Sequence, residues 1–362
     1  MSFTTLFTEN FWELVTVVIS CGIIVPVASF LTLVGLSFTL LKVPISPKKV
    51  QGKHILVVGA SSGLGKAVAL EVARLGASKV TLTARGTDSD SQGKSRLDYA
   101  VEEVKNSLDS NSTVVVSSAK FDVGNKEQTQ GAMNNILSEN GPVDWVIVCS
   151  GNAEPFMFVN NDSSASNVEE RMMKVNFMGP VNVIKGLLFA CKEQAGNEAP
   201  HYPSKVLLVS SLAALFPIPG YAAYGSSKAA LKGLAEVLRT ELRLYDGIQL
   251  QVYFPSNLDT PGLAKENETK PELTKQIEGI ADTIPAKVAA QTLLTGMGLG
   301  WYMYTGDLVG VIACAISNNM TPRYFNFLQI LSAPIFVIVS EAVALLFEHE
   351  VRTFKNKQKT NH

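Results

Sequence analysis

The stretch Val57-Val58-Gly59-Ala60-Ser61-Ser62-Gly63-Leu64-Gly65 closes an apolar β-branched run and opens an amphipathic helical pattern that continues to Arg74. Glycines at such a junction let backbone N–H groups approach a pyrophosphate, which then lies at the positive end of the following helix. Tight turns also need glycine, so the place of the loop between strand and helix counts for more than its composition. On this reading Gly59, Ser61, Ser62, Gly63, Leu64 and Gly65 cradle a dinucleotide.

Beyond the loop, short β-branched runs alternate with helical patterns. Strands are predicted at 55–58, 80–83, 114–121, 145–149, 206–210 and 250–254, and helices at 65–74, 97–108, 168–192 and 224–244. Such alternation implies an α/β fold of Rossmann type, a doubly wound parallel sheet with helices on both faces. The Asp, Ser and Gly-rich stretch 86–95 reads as a surface loop.

Composition sets the limits. The 362 residues are 46% hydrophobic and only 17% charged, with 31 basic against 32 acidic side chains and a net charge of -1. A charged fraction below the roughly 25% of soluble domains argues against disorder, and the neutral balance argues against nucleic-acid binding. Cys21, Cys149, Cys191 and Cys314 lie far apart, which favours a reducing compartment over a disulfide framework. His54, His201, His349 and His362 are equally scattered, and no metal site is expected.

The apolar surplus sits at the two ends. Residues 14–41 form a run of 28 without a formal charge, about 42 Å as a helix against a hydrocarbon core of roughly 30 Å. With Glu9 and Glu13 before it, the run reads as an uncleaved anchor, bent at Pro26, and not as a signal peptide. Lys42, Lys48 and Lys49 follow it and place the body of the protein in the cytosol. The sequons at Asn111, Asn161, Asn267 and Asn319 are then expected to stay unglycosylated. A second apolar region, 299–347, precedes a tail with Arg352, Lys355, Lys357 and Lys359; a membrane hairpin, an interfacial dock or a helix in a dimer interface would each satisfy it. The expected division is a transmembrane anchor at 1–50, a nucleotide-binding domain at 51–298 and a membrane-associated region at 299–362.

Which nicotinamide is bound should show at the end of the second strand, Leu82-Thr83-Ala84-Arg85, where no carboxylate stands to meet the ribose hydroxyls. A guanidinium forks onto a 2′-phosphate, so NADPH is preferred unless Arg85 merely faces solvent; Asp88 and Asp90 would favour NAD only if the loop folded back. Farther on, Tyr224-Gly225-Ser226-Ser227-Lys228 puts a phenol and an ammonium on one helical face. Such a pair arises readily by accident. It gains weight from Ser211, at the end of a strand thirteen residues earlier, and from Asn176 in Met173-Lys174-Val175-Asn176-Phe177-Met178-Gly179.

The Gly59-x-x-x-Gly63-x-Gly65 spacing and the set Asn176, Ser211, Tyr224 and Lys228 together resemble the short-chain dehydrogenase family. The resemblance implies ketone reduction in which Tyr224 gives a proton, Lys228 lowers the phenol's pKa and holds the nicotinamide ribose, Ser211 bonds the carbonyl oxygen and Asn176 supports a water relay. It also implies cofactor contacts from Asp122 and Val123, Gly151, Pro255 and Thr260. Two departures stand out: Val58 replaces a frequent Thr, and Val148-Cys149-Ser150-Gly151 replaces Asn-Asn-Ala-Gly. Both touch the cofactor pocket, and neither removes a proton-transfer group.

The run Asp259-Thr260-Pro261-Gly262-Leu263-Ala264-Lys265-Glu266-Asn267-Glu268-Thr269-Lys270-Pro271 is similar to that of one branch of the family, the 3-ketodihydrosphingosine reductases. What this implies is NADPH-dependent reduction of 3-dehydrosphinganine to sphinganine on the cytosolic face of the endoplasmic reticulum membrane, by a homo-oligomer. Residues 260–284 would form a lid over an apolar slot, with Asp259 or Glu266 facing the ammonium of the sphingoid base. A hydroxysteroid dehydrogenase, a 3-ketoacyl-CoA reductase and a cofactor-binding scaffold without turnover stay open as alternatives.

Overall fold

A computed structural model of the protein describes residues 20–160, 167–245, 247–279, 283–317 and 326–360. The chain divides into two compact units: Leu41–Gly306, and a terminal unit of the residues up to Leu40 and from Asp307 onward.

The larger unit is built on a seven-stranded parallel sheet. In chain order the strands are β1 (His54–Val58), β2 (Lys79–Ala84), β3 (Val115–Lys120), β4 (Trp145–Val148), β5 (Lys205–Val209), β6 (Gln249–Tyr253), β7 (Leu258–Asp259), β8 (Ile284–Pro285) and β9 (Met303–Tyr304). The large sheet runs β3-β2-β1-β4-β5-β6-β9, and β7 pairs with β8 as a separate parallel ribbon. Every residue of β1 and β4 is buried, as strands covered on both faces require, so they read as unbroken apolar runs. Strand β3 lies at an edge, and its Val-Val-Ser-Ser-Ala-Lys sequence is largely uncovered. The helix Lys126–Asn140 packs on Gly179–Ala195, and the helix Gly63–Arg74 packs on Ala286–Leu299. The strand order reverses between β1 and β4, where a doubly wound sheet opens a crevice at its carboxyl edge.

The α/β unit closes at Gly306 and not at 298. Residues 301–304 belong to its core: Trp301, Tyr302, Met303 and Tyr304 are buried, and β9 pairs with β6. The Tyr304 ring lies so close to Gly296 that a Cβ there would overlap it, and its hydroxyl donates to the Leu293 carbonyl at 2.6 Å. Part of the apolar surplus assigned to a membrane dock is therefore sheet core. A strand of two residues is too short to show a period of its own.

In the terminal unit a π-helical turn, Ser20–Ile24, leads into the helix Val25–Leu41, with Pro26 in its first turn. Helices Leu308–Ile316 and Asn326–Thr360 follow from the other end of the chain, the latter with Pro334 inside it. Among the described residues no helix is long and apolar enough to cross a membrane. The first six residues of the uncharged run at 14–41 lie outside the described residues, as do the sequons Asn161 and Asn319. Ile23, Ile24, Val27, Leu31 and Leu36 are exposed in the first of these segments and Ile338, Leu345 and Leu346 in the last.

Candidate active site

Gly59, Arg85, Asp122, Gly151, Ser211 and Pro255 follow the carboxyl ends of β1, β2, β3, β4, β5 and β6 in turn. The glycine loop is shaped by contact. Gly59 has φ +83°, and a Cβ there would lie 2.7 Å from the backbone of Ser150 at the end of β4. A Cβ on Gly65 would run into the Gly59 carbonyl oxygen, and one on Gly63 would sit 3.1 Å from the Thr260 methyl. The loop is pinned to the next strand by Gly59 N–H and Ala60 N–H, both donating to the Thr83 carbonyl at 2.9 Å. Ser62, with Ser61 before it and Leu64 after, caps the following helix in extended backbone, and its side chain makes no capping bond to the first N–H groups of the helix.

Nearby contacts fit a dinucleotide. The buried hydroxyls of Thr83, Ser150 and Ser256 find no hydrogen-bond partner among the described residues, and all three stand at or just beyond strand carboxyl ends. Arg85 is exposed just after β2. Asp88 pairs with Arg96, and Asp90 accepts from Tyr99 and from the backbone of Gln92 and Lys94, so the loop carboxylates do not fold back to the strand end. The Asp122 carboxylate accepts from Gly124 N–H at 2.9 Å, while Val123 is buried against Gly179 and its carbonyl takes the Asn182 amide. Buried Pro255 accepts from Leu212 N–H, and Thr260 caps the helix Pro261–Thr269 through Leu263 N–H.

Asn176 and Lys228 converge on Gly151. A Cβ on that residue would lie 3.0 Å from the Asn176 amide oxygen and 3.1 Å from Lys228 Nζ, so the backbone after β4 passes between them. Asn176 is fully buried in a π-helical turn, Lys174–Met178, a break in helix geometry that periodicity does not reveal and that is frequent at functional sites. Its amide accepts from Asn152 N–H at 3.0 Å and donates to the Asn152 carbonyl at 2.9 Å and to Ser227 Oγ at 3.0 Å. Ser211 leaves β5 and caps a short turn through Ala213 N–H. Its hydroxyl stands beside the Tyr224 phenol, on the helix Ala222–Glu241.

The electrostatics depart from expectation. Lys228 was expected to lower the Tyr224 pKa, yet burial pushes the phenol up, against the hydrogen bond from Ser211 and with the carboxylates of Glu266 and Glu278. Desolvation acts on the ammonium as well. Lys228 donates to the Val209 carbonyl at 3.0 Å and is brought down to about 8. The reason is burial of both members of the pair: the low dielectric penalises each charged form before either can help the other.

Substrate-side walls differ in kind. Val168, Met172 and Ala223 form an apolar cluster with Phe156 and Tyr224. The segment between β7 and β8, expected to be a lid over 260–284, folds into helices Pro261–Thr269 and Glu272–Glu278; residues 280–282 lie outside the described residues. Of the two carboxylates weighed for the ammonium, Asp259 is exposed on the ribbon, and Glu266 accepts from the Tyr221 hydroxyl and pairs with Lys270. Lys270 and Glu278 are functional candidates that sequence reading missed. Lys270 lies in the quoted 259–271 run, but nothing local distinguishes it from a surface lysine.

Residues 53–271 match the family described as short chain dehydrogenase. The chain is 32% identical over 323 residues to the 3-ketodihydrosphingosine reductase of Dictyostelium discoideum, covering 86% of this chain and 91% of that protein. It is 33% identical to the 3-ketodihydrosphingosine reductase of Bos taurus, covering 77% of this chain and 79% of that one. Among solved structures, an alcohol dehydrogenase from the archaeon Thermococcus sibiricus complexed with 5-hydroxy-NADP superposes with a TM-score of 0.53 at 20% identity, covering 70% of this chain and 95% of that one. The sheet order, the glycine loop and the extent of these matches agree, and the chain belongs to the short chain dehydrogenase family.

Proposed function

We propose that this enzyme reduces the ketone of a long-chain 2-amino-3-ketone, 3-dehydrosphinganine, to give sphinganine, with NADPH as donor, at the cytosolic face of the endoplasmic reticulum membrane. One observation carries the reaction type: Asn176 and Lys228 meet at Gly151 beyond β4, and Lys228 shares a helix with Tyr224, whose phenol stands beside Ser211. The substrate follows from relatives named as reductases of that ketone, matched over most of both chains.

When bound, the nicotinamide supplies the hydride. Gly59, Gly63 and Gly65 leave room for its pyrophosphate, and Arg85, exposed just after β2, would be the cation to meet a 2′-phosphate. Ser211 Oγ, already in contact with the Tyr224 phenol, would donate to the carbonyl oxygen as negative charge grows there. Tyr224 Oη would deliver the proton. A phenol held above its ordinary pKa stays protonated at neutral pH, which suits an acid, and Lys228, one turn along the same helix, would stabilise the phenolate left behind while it keeps its own proton. A water relay through Asn176 would use its main chain, because its side-chain amide is engaged by Asn152 and Ser227.

Membrane association rests on the uncharged run at 14–41 and on the exposed apolar side chains of the terminal helices. A substrate with a long acyl chain is almost absent from water, so an enzyme acting on its head group gains from docking at a bilayer. Glycan found on Asn111 of the native protein would contradict the cytosolic orientation. For the substrate, the purified full chain in detergent is assayed with NADPH against 3-dehydrosphinganine, a ketosteroid and a 3-ketoacyl-CoA. Turnover of the first at a kcat/KM at least tenfold above the others is expected; preference for either of the others would overturn the reading.

A further inference from the structure

Lys270 is a buried lysine held between two carboxylates. Its side chain is 3% exposed, with Nζ 3.0 Å from Glu266 Oε1 and paired also with Glu278. Glu266 lies on one lid helix and Glu278 on the other, so a single ammonium ties the two helices together. The knot reaches the cleft through Tyr221, whose hydroxyl donates to Glu266, whose ring lies 5.8 Å from Lys270 Nζ and whose ring centroid is 5.4 Å from that of Tyr224. A second tie fixes the same geometry. Thr274 donates to the Pro219 carbonyl at 2.8 Å, and Gly220, at φ +91°, leaves no space for a Cβ beside the Thr274 hydroxyl.

Charge in this knot is unbalanced, with two carboxylates against one ammonium behind Tyr221. Facing Tyr224 from the other elements are Ser211 at the end of β5 and, one turn along its own helix, Lys228, which has Cys149 at the end of β4 beside it. The helix Val168–Met173 contributes only apolar side chains to the Tyr224 cluster. The lid is therefore the source of negative charge acting on the phenol.

We propose that Lys270 is a positioning residue of the reaction: it seats Glu266 and Glu278 around Tyr221, docks the lid on the Tyr224 helix and offsets the negative charge that would otherwise bear on the Tyr224 phenol. The inference rests on the assignment of Tyr224 as the proton donor. It agrees with the direction in which Glu266 and Glu278 act on Tyr224, and with the rise that burial imposes on the Glu278 carboxyl against its bond to Lys270.

The test is the pH dependence of kcat/KM for NADPH-dependent ketone reduction by the full-length enzyme, where loss of a proton from the Tyr224–Lys228 pair defines the alkaline limb and added negative charge raises it. A unit charge several ångströms away in a partly buried site moves such a limb by about one pH unit. Lys270→Met should raise the limb, Glu278→Gln should lower it, and Lys270→Arg should restore the wild-type position. Glu278→Gln keeps shape and hydrogen bonding, so it reports even where Lys270→Met fails to fold. An alkaline limb unmoved in Glu278→Gln and in every folded Lys270 variant, with only thermal stability altered, would overturn the proposal. Tyr224→Phe separates the two failures: full activity in that variant sinks the proton-donor assignment itself, whereas an inactive Tyr224→Phe beside an unmoved limb sinks only the role of Lys270.

Discussion

The two halves of the cleft are made by different means. In the nucleotide half, backbone meets backbone, Gly59 against Ser150 and Gly65 against Gly59, with no room for a Cβ at either, and Gly63 lies close under the Thr260 methyl. In the carbonyl half, space is filled by buried polar groups, Asn176, Lys228 and the Tyr221–Glu266–Lys270 knot, whose charges act on one another through a poor dielectric. The first half is thus sensitive to volume and the second to charge. Substitutions that change one property at a time separate them.

Lys228→Met gives the largest expected effect, a loss of reductase turnover of about 10³-fold with shape nearly kept. Stability should move the other way. The native pKa is lowered to about 8 from an ordinary 10.5, so the unfolded chain binds the proton more tightly. The group therefore destabilises the fold fully below about 8, and stability rises with pH as the penalty fades between about 8 and 10.5. The variant should accordingly be more stable than wild type in neutral denaturant titrations of the cofactor-free enzyme. A less stable, equally active variant would break the contrast between the halves.

In the nucleotide half, Gly65→Ala adds one methyl against the Gly59 carbonyl. We expect a loss of about 2–4 kcal/mol in stability or its equivalent in NADPH binding, read by denaturant midpoint and by cofactor titration. Gly131→Ala is the matched control, because a Cβ there meets nothing within 4 Å, on the helix Lys126–Asn140. That change should stabilise by up to about 1 kcal/mol. Equal effects from the two would show that the loop glycines are not set by close approach.

Arg85→Ala touches neither volume nor the proton path. Its expected effect is a fall of about 10 to 100-fold in preference for NADPH over NADH, with turnover at saturating cofactor little changed. An unaltered preference would move the 2′-phosphate contact elsewhere. The smallest effect belongs outside both halves. Ser95 caps the helix Arg96–Asn106 in a reciprocal box with Asp98, whose carboxylate is held down to about 2, chiefly by the Lys120 ammonium. Ser95→Ala should cost about 1 kcal/mol of stability and leave kinetics untouched.

What could be read from the sequence follows the same division. The six long strands and the glycine loop carry local periodicity and turn chemistry, and the structure places them within one or two residues of their expected ends. Asn176, Ser211, Tyr224 and Lys228 stand out in the sequence because their joint spacing is specific; the structure brings Asn176 and Lys228 together at Gly151 and Ser211 beside Tyr224. Three features escaped. Strand β9 is two residues long, and its aromatic neighbours read as membrane surplus until their packing on Gly296 is seen. The π-turn at Asn176 leaves no mark in a helical pattern. Lys270 is distinguished only by partners brought together by the fold: a tyrosine 49 positions before it and carboxylates on two helices. The direction of the Tyr224 shift was missed for a related reason. Proximity to Lys228 is written in the sequence, whereas the burial that outweighs it is not.

The central claim is that a single cleft both holds the hydride donor and supplies the proton through Tyr224. Single-turnover oxidation of NADPH by excess enzyme with 3-dehydrosphinganine, wild type beside Tyr224→Phe, tests it directly, with NADPH affinity measured on both. The account expects stoichiometric NADPH oxidation by wild type, and in the variant unchanged NADPH binding with oxidation slowed at least 100-fold. Oxidation at the wild-type rate in Tyr224→Phe, or none by wild type, would contradict it.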